Sequence, residues 1–472
     1  MKFVVAIVFA LGLAGCVHES VTPQYSGNYP PAVAAVISQN CLGGSCHSGR
    51  NALNDSLDMT TWQTMMLGSR YEYDVIPYIA AKSHCFEHVN TNPDLAAEAT
   101  PRMPLSRNPL SEADQRTIFD WINHGAPSAT GQIAYSNSTH RVYALSEGED
   151  RMTIIDDDAR RIVRMTLINA DADALAPSCF CPMPDKQSVI VGAVNAKGSI
   201  RKYSLPDLAQ TAELASNYYI NDLTLTPDGA KGYITDYPPS GLQRVGVFDP
   251  VAMQFTRSIS MNGMTGPYGM APSGDGAYVY VSGAQSDNIA KIDTKTDQIV
   301  KLFPVADDVP SPLPDGYNPK YSPGFMTMSA DGKTLYVSCR NSSEVVRIDV
   351  ATDSVTGRVS IPFTPYRSTL SPDGSELWVT AWTTNSVQVV DTHTLTVTAK
   401  VDSINTNPRQ IAFSRDGAVA YVCCEKLVGG IHNHGLNGGA PPSGIYVIDT
   451  RTKKIIYGFA GPGYTTQIIP GF

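Results

Sequence analysis

The chain has 472 residues, 42% of them hydrophobic and 17% charged, with a formal net charge of −9. That length suits two or three domains, and the hydrophobic fraction is that of an ordinary soluble globular protein. No basic block rises above the background, so nucleic acid is not an expected partner. Lys2 followed by the apolar run Phe3 to Leu13 reads as a targeting signal, too short to span a bilayer as a permanent helix.

Leu13-Ala14-Gly15-Cys16 follows directly, with small residues immediately before a cysteine. It resembles the lipobox of bacterial lipoproteins. The resemblance implies a signal peptide over 1–15, cleavage before Cys16 and acylation of its thiol. The competing reading is a secretory peptide with a chance cysteine. Val17 stands where an aspartate would argue for the inner membrane, so the same family rule favours lipid anchoring at the outer membrane, on the periplasmic side or surface of the envelope. In that oxidising compartment Cys85, Cys179, Cys181, Cys339, Cys423 and Cys424 can form disulfides, of a connectivity that sequence does not give. Residues 16–30 read as a polar tether.

Residues 31–127 read as helical. Ala32, Val33, Val36 and Ile37 form an apolar stripe leading into Cys41. Thr60 to Leu67 carries Trp62, Met65 and Met66, which with Met59 read as core. Ser111-Glu112-Ala113-Asp114 has the form of a capping box, ahead of the apolar face Ile118, Phe119, Trp121, Ile122 and the stop at Gly125 and Pro127.

Within this region lies Cys41-Leu42-Gly43-Gly44-Ser45-Cys46-His47. Covalent haem attachment needs two thiols for the vinyl groups and a histidine directly after the second. The spacing here is Cys-x-x-x-x-Cys-His instead of the commoner Cys-x-x-Cys-His, and Gly43, Gly44 and Ser45 are small enough for the longer loop to pucker outward. A disulfide or a zinc pair is the competing reading, and no further pair follows at finger spacing to support zinc. The segment Val36 to Gly49, the later Pro101-Arg102-Met103-Pro104-Leu105 and the helix ending Trp121 to Ala126 are together similar to class I cytochrome c domains. That resemblance implies one covalent haem c, with Cys41 and Cys46 as thioether residues, His47 as proximal ligand and Met103 as distal ligand. His84 and His88 compete with Met103. Methionine–histidine ligation raises the potential and bis-histidine ligation lowers it. The plainer reading of Ser83 to His88 is a solvated loop, and Cys85 has no place in the pattern.

From about residue 130 the texture becomes a repeat. Leu370-Ser371-Pro372-Asp373-Gly374, Leu377-Trp378-Val379-Thr380 and Val387 to Asp391 make one copy. Ile411 to Gly417 with Ala420-Tyr421-Val422, Ser329 to Gly332 with Tyr336-Val337-Ser338, Asp275-Gly276 with Tyr280-Val281-Ser282, and Asp228-Gly229 with Tyr233-Ile234-Thr235 are others. Degenerate copies lie around Ile133-Ala134-Tyr135 and Met183-Pro184-Asp185, seven in all. The period is roughly 40–55 residues, the range of propeller blades. Asp-Gly between short β-rich runs is a hairpin signal, and small sheets that cannot bury both faces alone must stack radially. The units resemble bacterial YVTN-type repeats. The expected fold is therefore a small all-α domain over 31–127, then an all-β seven-bladed propeller over 130–472.

One insertion stands out: Cys423-Cys424, then Gly430-Ile431-His432-Asn433-His434-Gly435 and a Gly/Pro-rich run to Gly444. A His-x-His pair such as His432 and His434 can ligate a second metal. The competing reading is a glycine-rich loop with solvated histidines. Adjacent strand residues point to opposite faces, so Cys423 and Cys424 should diverge, whereas Cys179 and Cys181 should share a face.

These elements lead to the expectation of an electron-transfer lipoprotein that serves a redox partner protein, its propeller acting as scaffold or docking surface. Both axial ligands would fill the iron, which favours transfer over catalysis. One alternative is an oxidoreductase passing electrons to a second cofactor on the propeller. That order of domains resembles some periplasmic nitrite reductases, although they have eight blades and no ligand pattern for a second haem is found here. The other alternative is a surface binding protein.

Overall fold

The computed structural model describes residues 26–43, 46–50, 56–69, 74–169, 175–194, 198–205, 207–236, 241–404, 407–425, 443–461 and 463–471. The lipobox with Cys16, and His432 with His434, lie outside these residues.

The repeat folds through its turns. In five hairpins a Ser or Thr hydroxyl donates to the Asp two residues on: Thr226 to Asp228, Ser273 to Asp275, Ser329 to Asp331, Ser371 to Asp373 and Ser414 to Asp416, each at 2.6 Å. The glycine after each Asp takes φ near +70°, from +68° to +72°, which a side chain would resist. The hydroxyl then accepts the amide that opens the next strand, as from Glu376 to Ser371 at 3.0 Å. Both faces of the strands are buried, in alternating cores: Leu377 and Val379 enter one, Trp378 between them the next.

The result is seven four-stranded sheets. Blade two is β4 (Pro177–Pro182) to β7 (Gln210–Ala215), and blade three is β8 (Ile220–Leu225) to β11 (Gln254–Ser260). Blade four runs from β12 (Pro267–Pro272) to β15 (Gln298–Pro304), blade five from β16 (Pro323–Met328) to β19 (Ser354–Ser360). Blade six spans β20 (Pro365–Leu370) to β23 (Thr396–Val401), and blade seven β24 (Pro408–Phe413) to β27 (Lys454–Gly461). Blade one is different. Its β1 (Arg141–Ser146), β2 (Arg151–Asp156) and β3 (Arg161–Leu167) receive their innermost strand from the far end of the chain, β28 (Thr465–Pro470). Val142 faces Pro470 and Ser146 faces Thr465. Ile133-Ala134-Tyr135, expected to open the first copy, forms no strand. A ring of sheets leaves an open edge unless its ends meet, and β28 covers that edge.

Tyrosines of the repeat join neighbouring blades. Tyr233 Oη donates to Asp297 at 2.8 Å, Tyr280 to Asp353 at 3.1 Å and Tyr421 to Asp157 at 2.8 Å. Cys423 and Cys424 diverge into separate cores, and Cys179 and Cys181 reach one shared core, as the strand period requires.

Ahead of the propeller stand α1 (Pro31–Asn40), α2 (Trp62–Met66), α3 (His84–Val89) and α4 (Glu112–Asn123), around a common core that includes Val33, Ile37, Trp62, Phe86 and Ile122. Ser111 caps α4 by accepting the Asp114 amide at 3.1 Å, and Gly125 ends it with φ +96°. Ser83 to His88, read from sequence as a loop, instead supplies the helix α3. Packing accounts for the difference, because α3 buries Cys85 and Phe86 in the common core. The packed chain also starts before residue 31: Tyr29 is buried, and its hydroxyl donates to Met59 O at 3.1 Å. This segment seats on the propeller through Ile76 and Ile79, which join the core of blades one and seven, and through Lys82 and Glu149, 3.1 Å apart. Among the described residues no helix is long and apolar enough to cross a membrane.

Candidate functional site

The end of α1 delivers Cys41 as its C-cap, half-buried against the helical core. A turn returns the chain at once: the His47 amide donates to Cys41 O at 3.2 Å and the Cys46 amide to Gly43 O at 3.3 Å. Cys41, Cys46 and His47 are therefore held together. Burial, with the nearby Cys46 as a second cause, pushes the Cys41 thiol up to about 12. Cys46 is exposed.

The His47 ring is oriented by a backbone carbonyl. Its Nδ1 lies 3.2 Å from Leu57 O, an acceptor only, so Nδ1 carries the proton and the lone pair sits on Nε2. A histidine that ligates a metal through one nitrogen usually anchors the other this way. The next turn is tied down as well, with the Met59 amide donating to His47 O at 2.9 Å.

Met103 lies half-buried on a loop fastened to α3 at two points. Its amide donates to His88 O at 2.8 Å, and two residues earlier Pro101 O accepts from His88 Nδ1 at 2.6 Å. The same loop reaches the Cys41–His47 turn: a side-chain carbon added at Gly43 would lie 3.0 Å from the Arg107 guanidinium. Cys85 on α3 is buried, and its thiol is raised by desolvation, then by Asp74 and by Cys41. The two thiols, the oriented imidazole and the thioether loop thus belong to one packed unit, and their chemistry fits a covalent haem. Among the described residues no two cysteines are joined, and no group of three or more His, Cys, Asp or Glu is placed to hold a metal ion.

A second arrangement, not read from sequence, runs along the inner strands of blades four to seven. Arg340 lies over the Tyr268 ring at 4.3 Å, Arg367 over Phe325 at 3.4 Å and Arg409 over Tyr366 at 4.4 Å. The rings abut in turn, Tyr268–Phe325 at 4.9 Å, Phe325–Tyr366 at 5.1 Å and Tyr366–Trp382 at 6.4 Å. Glu425 joins both ends of the last step, accepting from Trp382 Nε1 at 3.0 Å and pairing with Arg409 at 3.1 Å. Although burial opposes it, Arg340 heads the attractions that draw the Tyr268 hydroxyl below its ordinary range, while burial drives its neighbour Tyr366 up. The signal was positional. Arg340, Trp382 and Glu425 each directly follow the second strand of their blades.

Seven radial sheets closed by the last strand define a seven-bladed β-propeller, here preceded by a helical segment that groups two thiols, an imidazole and a thioether loop. The chain belongs to the family described as lactonase, 7-bladed beta-propeller, whose pattern matches residues 124–393. Among solved structures, hydrazine synthase of Kuenenia stuttgartiensis is similar at 22% identity and a TM-score of 0.46, over 58% of this chain and 77% of that one. No curated protein matches the chain.

Proposed function

We propose that this chain is a lipid-anchored electron-transfer protein of the bacterial cell envelope, carrying one haem c. In this reading Cys41 and Cys46 form the thioethers, His47 and Met103 are the axial ligands, and Cys16 bears the lipid. The propeller positions the haem-bearing segment or docks a redox partner. The observation that carries the reading is the bond from His47 Nδ1 to Leu57 O at 3.2 Å, which leaves the lone pair on Nε2, on a turn that also holds both thiols. When bound, the haem supplies reversible one-electron transfer, at a potential that a methionine ligand raises. The chain's own part is to hold His47 in one tautomer and to anchor the Met103 loop on α3.

Purification with native cofactors tests it. One covalent haem iron per chain and a sulfur-to-iron charge-transfer band are expected. Met103→Ala should lose the band and keep the covalent haem. A chain without covalent haem when expressed with haem-attachment machinery sinks the reading. Cys16→Ala should release the protein from the membrane fraction.

The axial cluster favours a second reading, in which the propeller binds a small molecule of its own. With Arg367 and Arg409 already paired to Asp222 and Glu425, the guanidiniums and aromatic rings together suit a carbonyl-bearing compound. The family description makes lactones the first compounds to assay, with Arg340→Ala as the control.

A further inference from the structure

We propose that His84 and His88 on α3 form a clasp for a divalent transition metal, with copper(II) or nickel(II) the best suited. The two residues are one helical turn apart. Their rings stand nearly perpendicular, at 83° with centroids 4.3 Å apart, and their Nε2 atoms converge to 2.9 Å. Each Nδ1 is turned towards an oxygen. His88 Nδ1 meets the Pro101 carbonyl at 2.6 Å, and a carbonyl only accepts, so that nitrogen carries the proton. His84 Nδ1 lies 3.6 Å from the Glu87 carboxylate, within ion-pair range.

With His84 protonated at Nε2, the contact is an ordinary hydrogen bond to the His88 Nε2 lone pair. A metal ion that displaces this one proton, leaving it on Nδ1 beside Glu87 or releasing it to solvent, meets two Nε2 lone pairs that already converge. The surroundings favour the metal, because each ring has an acceptor behind it, a carbonyl for one and a carboxylate for the other. The spacing points the same way. Two nitrogens bonded at about 2.0–2.1 Å in cis positions of a square-planar or octahedral centre lie roughly 2.9 Å apart. Both rings are half-buried, so water or a partner's side chain has access to the remaining positions. The clasp does not rest on the haem reading.

The test is copper(II) titration of the full chain, after removal of adventitious metal, in a His432→Ala/His434→Ala background that removes the other histidine pair. Copper stoichiometry and electron paramagnetic resonance are read together. One copper per chain with nitrogen hyperfine structure is expected. His84→Ala and His88→Ala should each abolish it, and Glu87→Gln should weaken it by about 10-fold, within the range for residues behind a ligand. Unchanged unfolding temperatures keep a loss of binding from being read as a loss of fold. Binding that survives in His88→Ala overturns the proposal, as does failure of the parent to bind copper, which leaves a shared proton as the bridge.

Discussion

Arg367 and Asp222 meet at 3.5 Å although they stand on innermost strands three blades apart. Arg367 extends from blade six and Asp222 faces it from blade three, so the pair spans the axis of the ring. Both side chains are well buried, at 13% and 7% exposure. The other Asp222 oxygen accepts the Met270 amide at 2.8 Å, which ties the crossing to blade four.

Removal of that cation leaves a carboxylate buried in the axis. Arg367→Ala should cost about 3–5 kcal/mol in urea unfolding at neutral pH. Burial already drives the Asp222 carboxyl up, with Arg367 foremost among the groups that draw it back. A raised carboxyl pKa gives stability that is lost as pH rises through it, so the variant should grow steadier on acidification. Adding Asp222→Asn should restore part of the loss.

The hairpin aspartates act with the opposite sign. The Ser371 hydroxyl foremost, with the Ser375 amide, holds Asp373 down to about 2, and Asp228, Asp275, Asp331 and Asp416 are lowered for the same reason. Their contribution is full above the ordinary carboxylate range and fades as pH falls towards the lowered values. Asp373→Asn should therefore be less stable than the parent at neutral pH, with a gap that narrows between about pH 4 and pH 2. A gap that stays constant over that window would count against the turn mechanism.

Cys41 and Cys46, the proposed thioether residues, should differ in reactivity in haem-free chain. Burial and Cys46 push the Cys41 thiol up to about 12, and only the thiolate attacks an alkylating reagent. In haem-free chain at mildly alkaline pH, iodoacetamide should modify the exposed Cys46 first, with Cys41 slower by about 10-fold or more. Peptide mass mapping over time reads the order.

Deletion of residues 463–472 should abolish the cooperative fold. Without β28, blade one exposes the whole edge of β1, and an open edge of that length invites association. Light scattering and the loss of a single unfolding transition would show it. A monomeric, cooperatively folding truncation would contradict the closure.

Ile79→Ala tests the seat of the helical segment. Ile79 is 7% exposed and packs with propeller residues. Truncating it should cost about 2–4 kcal/mol. Limited proteolysis should then cut between the helical segment and β1 before it cuts within blades.

Much of this was legible in advance because the repeat writes its turns locally. Ser371-Pro372-Asp373-Gly374 contains both the hydrogen bond and the positive φ that make its hairpin. Ring closure was not legible, because β28 pairs with a strand more than three hundred residues earlier and carries no Asp-Gly of its own. Ile133 to Tyr135, around which the sequence places a degenerate first copy, forms no strand. The axial arginines were invisible for a related reason: Arg340, Arg367 and Arg409 each look like single surface charges until the ring brings their blades together. The sequence places His84 and His88 on a loop, because a six-residue helix, His84–Val89, is too short for periodicity to announce it.

Joining its last strand to its first also gives the propeller a mechanical polarity. Val142 and Pro470 lie opposite each other at one end of an antiparallel ladder. Tension applied between residues 141 and 471 would open that ladder one bond at a time, as a zipper does. Between other pairs of points, the ladders of several blades would share the load in shear. The grip of the whole ring against a pull on its ends is thus set by a six-residue strand, Thr465–Pro470.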